Sequence, residues 1–184
     1  MSKQIIVVSG GPAVGKMTVG QHLSQLTGYP LIHNHMSIDI SLSIFNHYDR
    51  DLVRDIRSDI THAIALSDLS GAIFTVVLDY NLDHEDYMRE FLGDLQNEDI
   101  YLFNLEASLD TCIKRNLTEN RLQCKPFKRD LKKSHLQLLR DYAFDRFTLS
   151  PEDQQDYWFP SYAINNENLS ADEAAQQIYE LIKT

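Results

Sequence analysis

A β-branched run, Gln4 to Val8, breaks at Ser9 into Gly10-Gly11-Pro12-Ala13-Val14-Gly15-Lys16, after which the chain takes up helical spacing. No other feature restricts the chain so narrowly. Gly10, Gly15 and Lys16 satisfy the spacing G-x-x-x-x-G-K of a phosphate-binding turn. Glycine backbones let successive N–H groups face inward around a phosphate, and a helix starting near Lys16 adds its positive dipole end. The Lys16 ammonium can reach the β- and γ-phosphates as a point charge. The expected nucleotide contacts therefore run from Gly10 and Gly11 through Pro12, Ala13, Val14 and Gly15 to Lys16, Met17 and Thr18.

Met17 stands where a magnesium-binding hydroxyl usually follows the lysine. A thioether is a poor ligand for a hard cation, so the nearest hydroxyl is that of Thr18.

The remaining chain alternates strand-like and helix-like segments, which predicts a parallel sheet with helices on both faces. Strands are expected at Tyr29 to His33, Ala72 to Leu78, Ile100 to Leu105 and Tyr162 to Ile164. Helices are expected at Lys16 to Thr27, Met36 to Tyr48, Asp51 to Leu69, from Asp83, from Ser108 and from Ser170. In the third of these, Leu52, Ile56, Ile60, Ala63 and Ile64 form the expected inward stripe. Ser170 and Glu173 form an S-x-x-E capping box. A length of 184 residues without internal repeat or linker predicts one domain spanning 1–184.

A net charge of −10 argues against broad, sequence-independent nucleic-acid binding, which needs basic surface to displace counterions. The positive charges gather between Lys114 and Arg140 inside this acidic chain. No apolar stretch is long enough to cross a bilayer, and the start lacks the pattern of a secretory signal. Cys112 and Cys124 lack metal-type spacing. A cytoplasmic protein with free thiols is the expectation, with its oligomeric state open.

GGPAVGKMT resembles the loop of adenylate and UMP-CMP kinases, where a small non-hydroxyl residue follows the lysine and a threonine comes next. The wider order of elements is similar to the nucleotide kinase and shikimate kinase group of P-loop small-molecule kinases. The resemblance implies a three-layer α/β fold with five parallel strands in the order 2-3-1-4-5. It implies ATP and Mg²⁺ as cofactors, with the ion held largely through water and the nucleotide. It also implies acceptor-side helices over about 36–69 and a small lid over about 115–133.

In such folds the end of the second strand faces the acceptor. Read as a strand continuing through Asn34, this segment points His33 and His35 to one side. By resemblance both line the acceptor pocket, and His35 or Asp39, one helical turn on, would take the proton of an accepting hydroxyl. Structural histidines and a zinc site with Asp39 are the competing readings. Arg50, Arg54 and Arg57 share one helix face. Either they pair with Asp51 and Asp55, or Arg54 and above all Arg57 clamp a carboxylate or phosphate.

Asp79 ends an apolar strand at the end where such sheets bind ligands. It reads as a magnesium and substrate contact, or as a cap for the segment near Asn81. Arg115 and Arg121 match the family's paired lid arginines in position, with Lys125 to Arg129 at the lid tip. Guanidinium groups there would offset charge on the transferring phosphoryl group. Asn165 to Asn168 are candidate purine contacts. Transfer of the γ-phosphoryl group of ATP to a small-molecule hydroxyl or phosphate follows, with a nucleotide-binding regulatory ATPase as the alternative.

Overall fold

The computed structural model describes residues 2–117 and 131–183. Arg121, Cys124 and the lid tip Lys125 to Arg129 lie outside the described residues. Five strands form one parallel sheet: β1 (Gln4–Gly10), β2 (Leu31–Ile32), β3 (Gly71–Thr75), β4 (Asp99–Glu106) and β5 (Ser161–Asn165). Their order is β2-β3-β1-β4-β5, as the resemblance implies. The helices are α1 (Lys16–Thr27), α2 (His35–Phe45), α3 (Arg50–Leu66), α4 (His84–Leu92), α5 (Leu109–Asn116), α6 (Leu131–Phe144), α7 (Pro151–Gln155) and α8 (Ala171–Ile182).

Strand β1 is the centre of the sheet, pairing Ile5 with Ala72 on one side and Ile100 on the other. Its alternate residues feed two separate cores because successive side chains leave a strand on opposite faces. Ile5 and Val7 join Phe74, Leu102, Met88 and Leu92 on the face covered by α3 and α4. Ile6 and Val8 join Phe103, Val19, Leu23, Ala174 and Ile178 on the face covered by α1 and α8. A strand buried on both sides needs this continuous apolar run.

Helix starts follow their capping chemistry. Asp49 accepts from Leu52 N, Asp83 from Asp86 N and Ser108 from Thr111 N. Ser170 and Glu173 make the expected capping box. A second box, Ser150 with Asp153, opens α7.

Three local expectations are corrected. The second strand stops at Ile32, and Asn34 already has helical angles, with Met36 N bonded to His33 O. His33 and His35 therefore do not alternate along one strand; His35 opens α2. Strand β3 ends at Thr75, so Asp79 stands four residues beyond it. In α3 the buried residues are Val53, Thr61 and Ile64, while Ala63 is exposed. Threonine takes an inward place there because its hydroxyl bonds the Ser58 carbonyl, 2.9 Å away.

The segment after α6 is fixed beside the sheet by Arg146. Its guanidinium donates to both oxygens of buried Asp153, at 2.6 and 2.8 Å, and to the Tyr80 carbonyl. Tyr80 N returns a bond to Arg146 O. The Arg146 hydrogen bonds, reinforced by those from Ser150, hold the Asp153 carboxyl far below its ordinary value of 3.8. A depressed carboxyl contributes stability above the unfolded-state value and loses it as pH falls toward the folded one. Asp153→Asn should cost about 1–3 kcal/mol at neutral pH. Urea unfolding from pH 7 to pH 2 should show a steeper loss below about pH 4 in the wild type than in this variant.

Candidate nucleotide and acceptor site

The glycine turn lies at the carboxyl ends of β1 and β4. Gly10 has φ 129°, and a Cβ there would sit 2.4 Å from the Leu105 carbonyl oxygen. Only glycine fits so close to the neighbouring strand. Ala13 also takes a left-handed φ of 65°, a conformation that non-glycine residues seldom adopt. Gly15 caps α1, with Val19 N bonded to its carbonyl at 3.0 Å.

The carbonyls of the turn are held by its own lysine and by donors from distant parts of the chain. Lys16 Nζ donates to Gly10 O and Gly11 O, at 2.6 and 2.7 Å. Tyr142 on α6 donates to Pro12 O at 3.2 Å. Arg115 on α5 and Asn166 after β5 both donate to Val14 O, each at 2.9 Å. Lys16, Arg115, Tyr142 and Asn166 thus converge on a turn of seven residues.

Met17 and Thr18 stand half-buried in the first turn of α1. Asp79 Oδ1 accepts from Asn81 N at 3.0 Å and from Arg146 N at 2.9 Å. Asp79 accepts both in the turn after β3 and caps no helix, since α4 starts at His84 with Asp83 as its cap; Oδ2 stays outside these two bonds.

Arg115 also donates to the Asn166 carbonyl at 2.8 Å, so it rests between the turn and the loop after β5. In that loop Asn165 is exposed and accepts from Glu167 N, whereas Asn166 is buried and touches the turn. The Glu167 carboxylate accepts from Thr111 and from the amide and hydroxyl of Ser108, which lower its pKa. The loop is thereby tied to the start of α5.

On the other side of the sheet, Arg57 is the arginine that turns inward. Its guanidinium donates to Ser37 Oγ at 3.1 Å, to Tyr87 OH at 3.2 Å and to Asn34 Oδ1. All three partners are neutral, and no carboxylate pairs with Arg57 among the described residues. Arg54 instead pairs with Asp51 and Asp55 on its own helix and is half-exposed, the solvated-face alternative. His33 lines the same small hollow as Asn34, Ser37 and Arg57, with Thr75 at its base. Asn34 N donates to Thr75 Oγ1 at 3.0 Å, which fixes the hollow to the end of β3. His35 and Asp39 lie half-buried one turn apart on α2.

Three cavities surround these groups. One of about 260 Å³ is lined by Gly11, Val14, Tyr142 and Asp145. A second, about 390 Å³, is lined by Arg50, Asp79, Tyr87 and Asp145. The third, about 210 Å³, shares Arg50, Tyr87 and Glu90 with the second and adds Arg57. Asp145 borders the first two, and its carboxyl is raised by burial and by the charges of Asp79 and Asp141.

Sequence reasoning missed several of these residues. Ser9, Asn104 and Glu106 form a buried polar chain beneath the turn, with Ser9 Oγ 2.8 Å from Asn104 Oδ1 and Asn104 Nδ2 3.0 Å from Glu106 Oε1. A polar Asn inside the apolar run of β4 was the available signal. Tyr142 and Asp145 gave none, because their approach to the turn depends on the packing of α6.

A zinc centre from His33, His35 and Asp39 has no support: among the described residues the one group with metal-like spacing is His84, Asp153 and Asp156. There the Arg146 guanidinium already occupies both Asp153 oxygens and opposes a cation.

No protein-family model matches the chain, and no curated protein matches it significantly. Solved structures do match over nearly the full length. A shikimate kinase from Acinetobacter baumannii in complex with shikimate aligns with TM-score 0.60 at 16% identity, covering 98% of this chain and 93% of its own. The fold is that of the P-loop small-molecule kinases. A sugar kinase from Janibacter, at TM-score 0.58 and 12% identity, covers 100% of this chain and 95% of its own. The Mycobacterium tuberculosis APS kinase in complex with AMPPNP and APS aligns at TM-score 0.57 and 14% identity, covering 100% and 99%. No helix among the described residues is long and apolar enough to cross a membrane.

A Cβ at Gly11 would lie 2.5 Å from Tyr142 OH and 2.9 Å from the Phe147 ring. Gly11→Ala should therefore displace α6 from the turn and cost about 1–3 kcal/mol, measured by chemical unfolding.

Proposed function

We propose that this protein is an ATP-dependent kinase that transfers the γ-phosphoryl group of ATP to a hydroxyl or phosphate of a small anionic acceptor. The observation that carries this reading is the turn itself. Its lysine and glycines lie at the carboxyl end of a parallel sheet, across that end from an arginine bound only by neutral groups.

In this reading the acceptor oxygen attacks the γ-phosphorus, the bond to the β,γ-bridging oxygen breaks, and ADP leaves. The turn amides and Lys16 stabilise the charge that gathers on the phosphate oxygens. Arg115 and the loop Asn165 to Asn168 hold the nucleotide. Arg121, outside the described residues, remains a proposed partner of Arg115 on the transferring group. His35 or Asp39 takes the proton when the acceptor is a hydroxyl.

Thr18 and the outer oxygen of Asp79 are hard donors suited to Mg²⁺ or to its hydration water, whereas Met17 is not. Bound there, the ion would neutralise phosphate charge during transfer. Arg57, with Arg50 beside it, would bind an acidic group of the acceptor, since guanidinium pairs best with carboxylate or phosphate. Arg54 serves less well, being already paired on its helix. His33 lines the acceptor hollow.

Screening phosphate acceptors by thermal shift, with Mg²⁺ and an ATP analogue present, should identify an acidic compound. Lys16→Ala should then reduce turnover at least about a hundredfold. Slow ATP hydrolysis without any acceptor would instead favour a regulatory ATPase. Arg57→Ala should raise the acceptor KM about tenfold or more while leaving the ATP KM unchanged. Equal loss for an uncharged acceptor analogue would contradict the role given to Arg57.

A further inference from the structure

The peptide unit between Val14 and Gly15 carries an unusual load. Its carbonyl oxygen accepts from two side chains, Arg115 Nη1 and Asn166 Nδ2, each at 2.9 Å. Asn166 is 3% exposed and spends its other groups on the same junction. Its backbone N–H bonds Glu106 O at 2.9 Å, and its carbonyl accepts from Arg115 Nη2 at 2.8 Å. Its side-chain oxygen lies 3.4 Å from Arg115 Nη1. One buried amide thus ties the end of β4, the helix α5 and the loop after β5 to a single carbonyl of the turn.

The geometry of a trans peptide gives this tie a consequence. The C=O and the following N–H of a planar trans unit point in opposite directions. Two donors that hold Val14 O toward Asn166 therefore aim the Gly15 N–H the other way. That amide begins the row of N–H groups, at the start of α1, on which an anion would rest.

We infer that Asn166 is a positioning residue for the phosphate-binding turn: it acts through the Val14 carbonyl to orient the Gly15 amide toward the phosphate chain. The inference rests on the kinase reading above and adds a residue to it. It also couples the two halves of nucleotide binding, because the loop proposed to hold the base is the one that sets the phosphate grip. An Asn at position 166 suits this place because its amide donates to one group while its oxygen faces a guanidinium.

The test compares ATP with inorganic tripolyphosphate, which has phosphates and no base, each with Mg²⁺ by isothermal titration. Asn166→Ala removes the side chain. Asn166→Asp keeps its volume and its oxygen toward Arg115 but loses the donor to Val14 O. Both variants should bind both ligands about tenfold more weakly, with Tm lowered by at most a few degrees. Unchanged tripolyphosphate binding alongside weakened ATP binding would overturn the inference, since Asn166 would then serve the base alone. Unchanged binding of both ligands would overturn it as well. Should the wild type take up neither ligand, the kinase reading falls too, a result visible before any variant is compared.

Discussion

A single carbonyl, that of Val14, is the point on which the site is assembled. Arg115 arrives from α5 and Asn166 from the loop after β5, and both end on this oxygen. Tyr142 reaches the neighbouring Pro12 oxygen from α6, and Lys16 bends back to Gly10 and Gly11. Backbone groups left without partners in so tight a turn would cost free energy comparable to lost hydrogen bonds. Donors from outside the turn satisfy Pro12 O and Val14 O, and Lys16 satisfies Gly10 O and Gly11 O. The same contacts connect the turn to segments far along the chain, so its shape depends on the completed fold.

Below this turn the sheet supplies rigidity, and beside it the helices divide the work. The face covered by α1 and α8 carries one apolar cluster, with Val14 and Ala13 of the turn in it. The opposite face, under α3 and α4, opens into cavities lined by Arg50, Tyr87, Arg57 and Asp79. Arg57 is the arginine that turns inward on that side. Its half-buried guanidinium donates to Asn34, Ser37 and Tyr87, and no carboxylate pairs with it among the described residues. Asp145 borders both the cavity beside the turn and the one lined by Asp79 and Tyr87.

Much of this was legible in the sequence because it rests on local rules. Alternating elements implied the sheet, apolar Ile5 to Val8 implied a strand buried on both faces, and Ser170 with Glu173 implied a helix start. The strand order came from resemblance, and the sheet has that order. What failed was alternation near strand ends. His33 and His35 were expected side by side, but β2 pairs with β3 at only Leu31 and Ile32, and the chain turns at once into α2. Asp79 was likewise expected at a strand end and instead accepts two backbone amides in the turn that follows. Tyr142 could not be singled out from sequence, and Asn166 was expected only among the purine contacts, since their bonds to the turn span 130 and 152 residues.

The central claim is that the turn within residues 10–18 holds a triphosphate through backbone amides, those of Gly11 and Gly15 among them, and glycine-selective ¹⁵N labelling tests it most directly. The chain has seven glycines: Gly10, Gly11 and Gly15 lie in the turn, Gly20 lies within α1, and Gly28, Gly71 and Gly93 lie at helix and strand ends away from it. Titration with ATP and Mg²⁺ should shift the amides of Gly11 and Gly15 saturably and leave those of Gly28, Gly71 and Gly93 in place. Saturable shifts confined to the glycines outside the turn, or none at any glycine, would contradict the account.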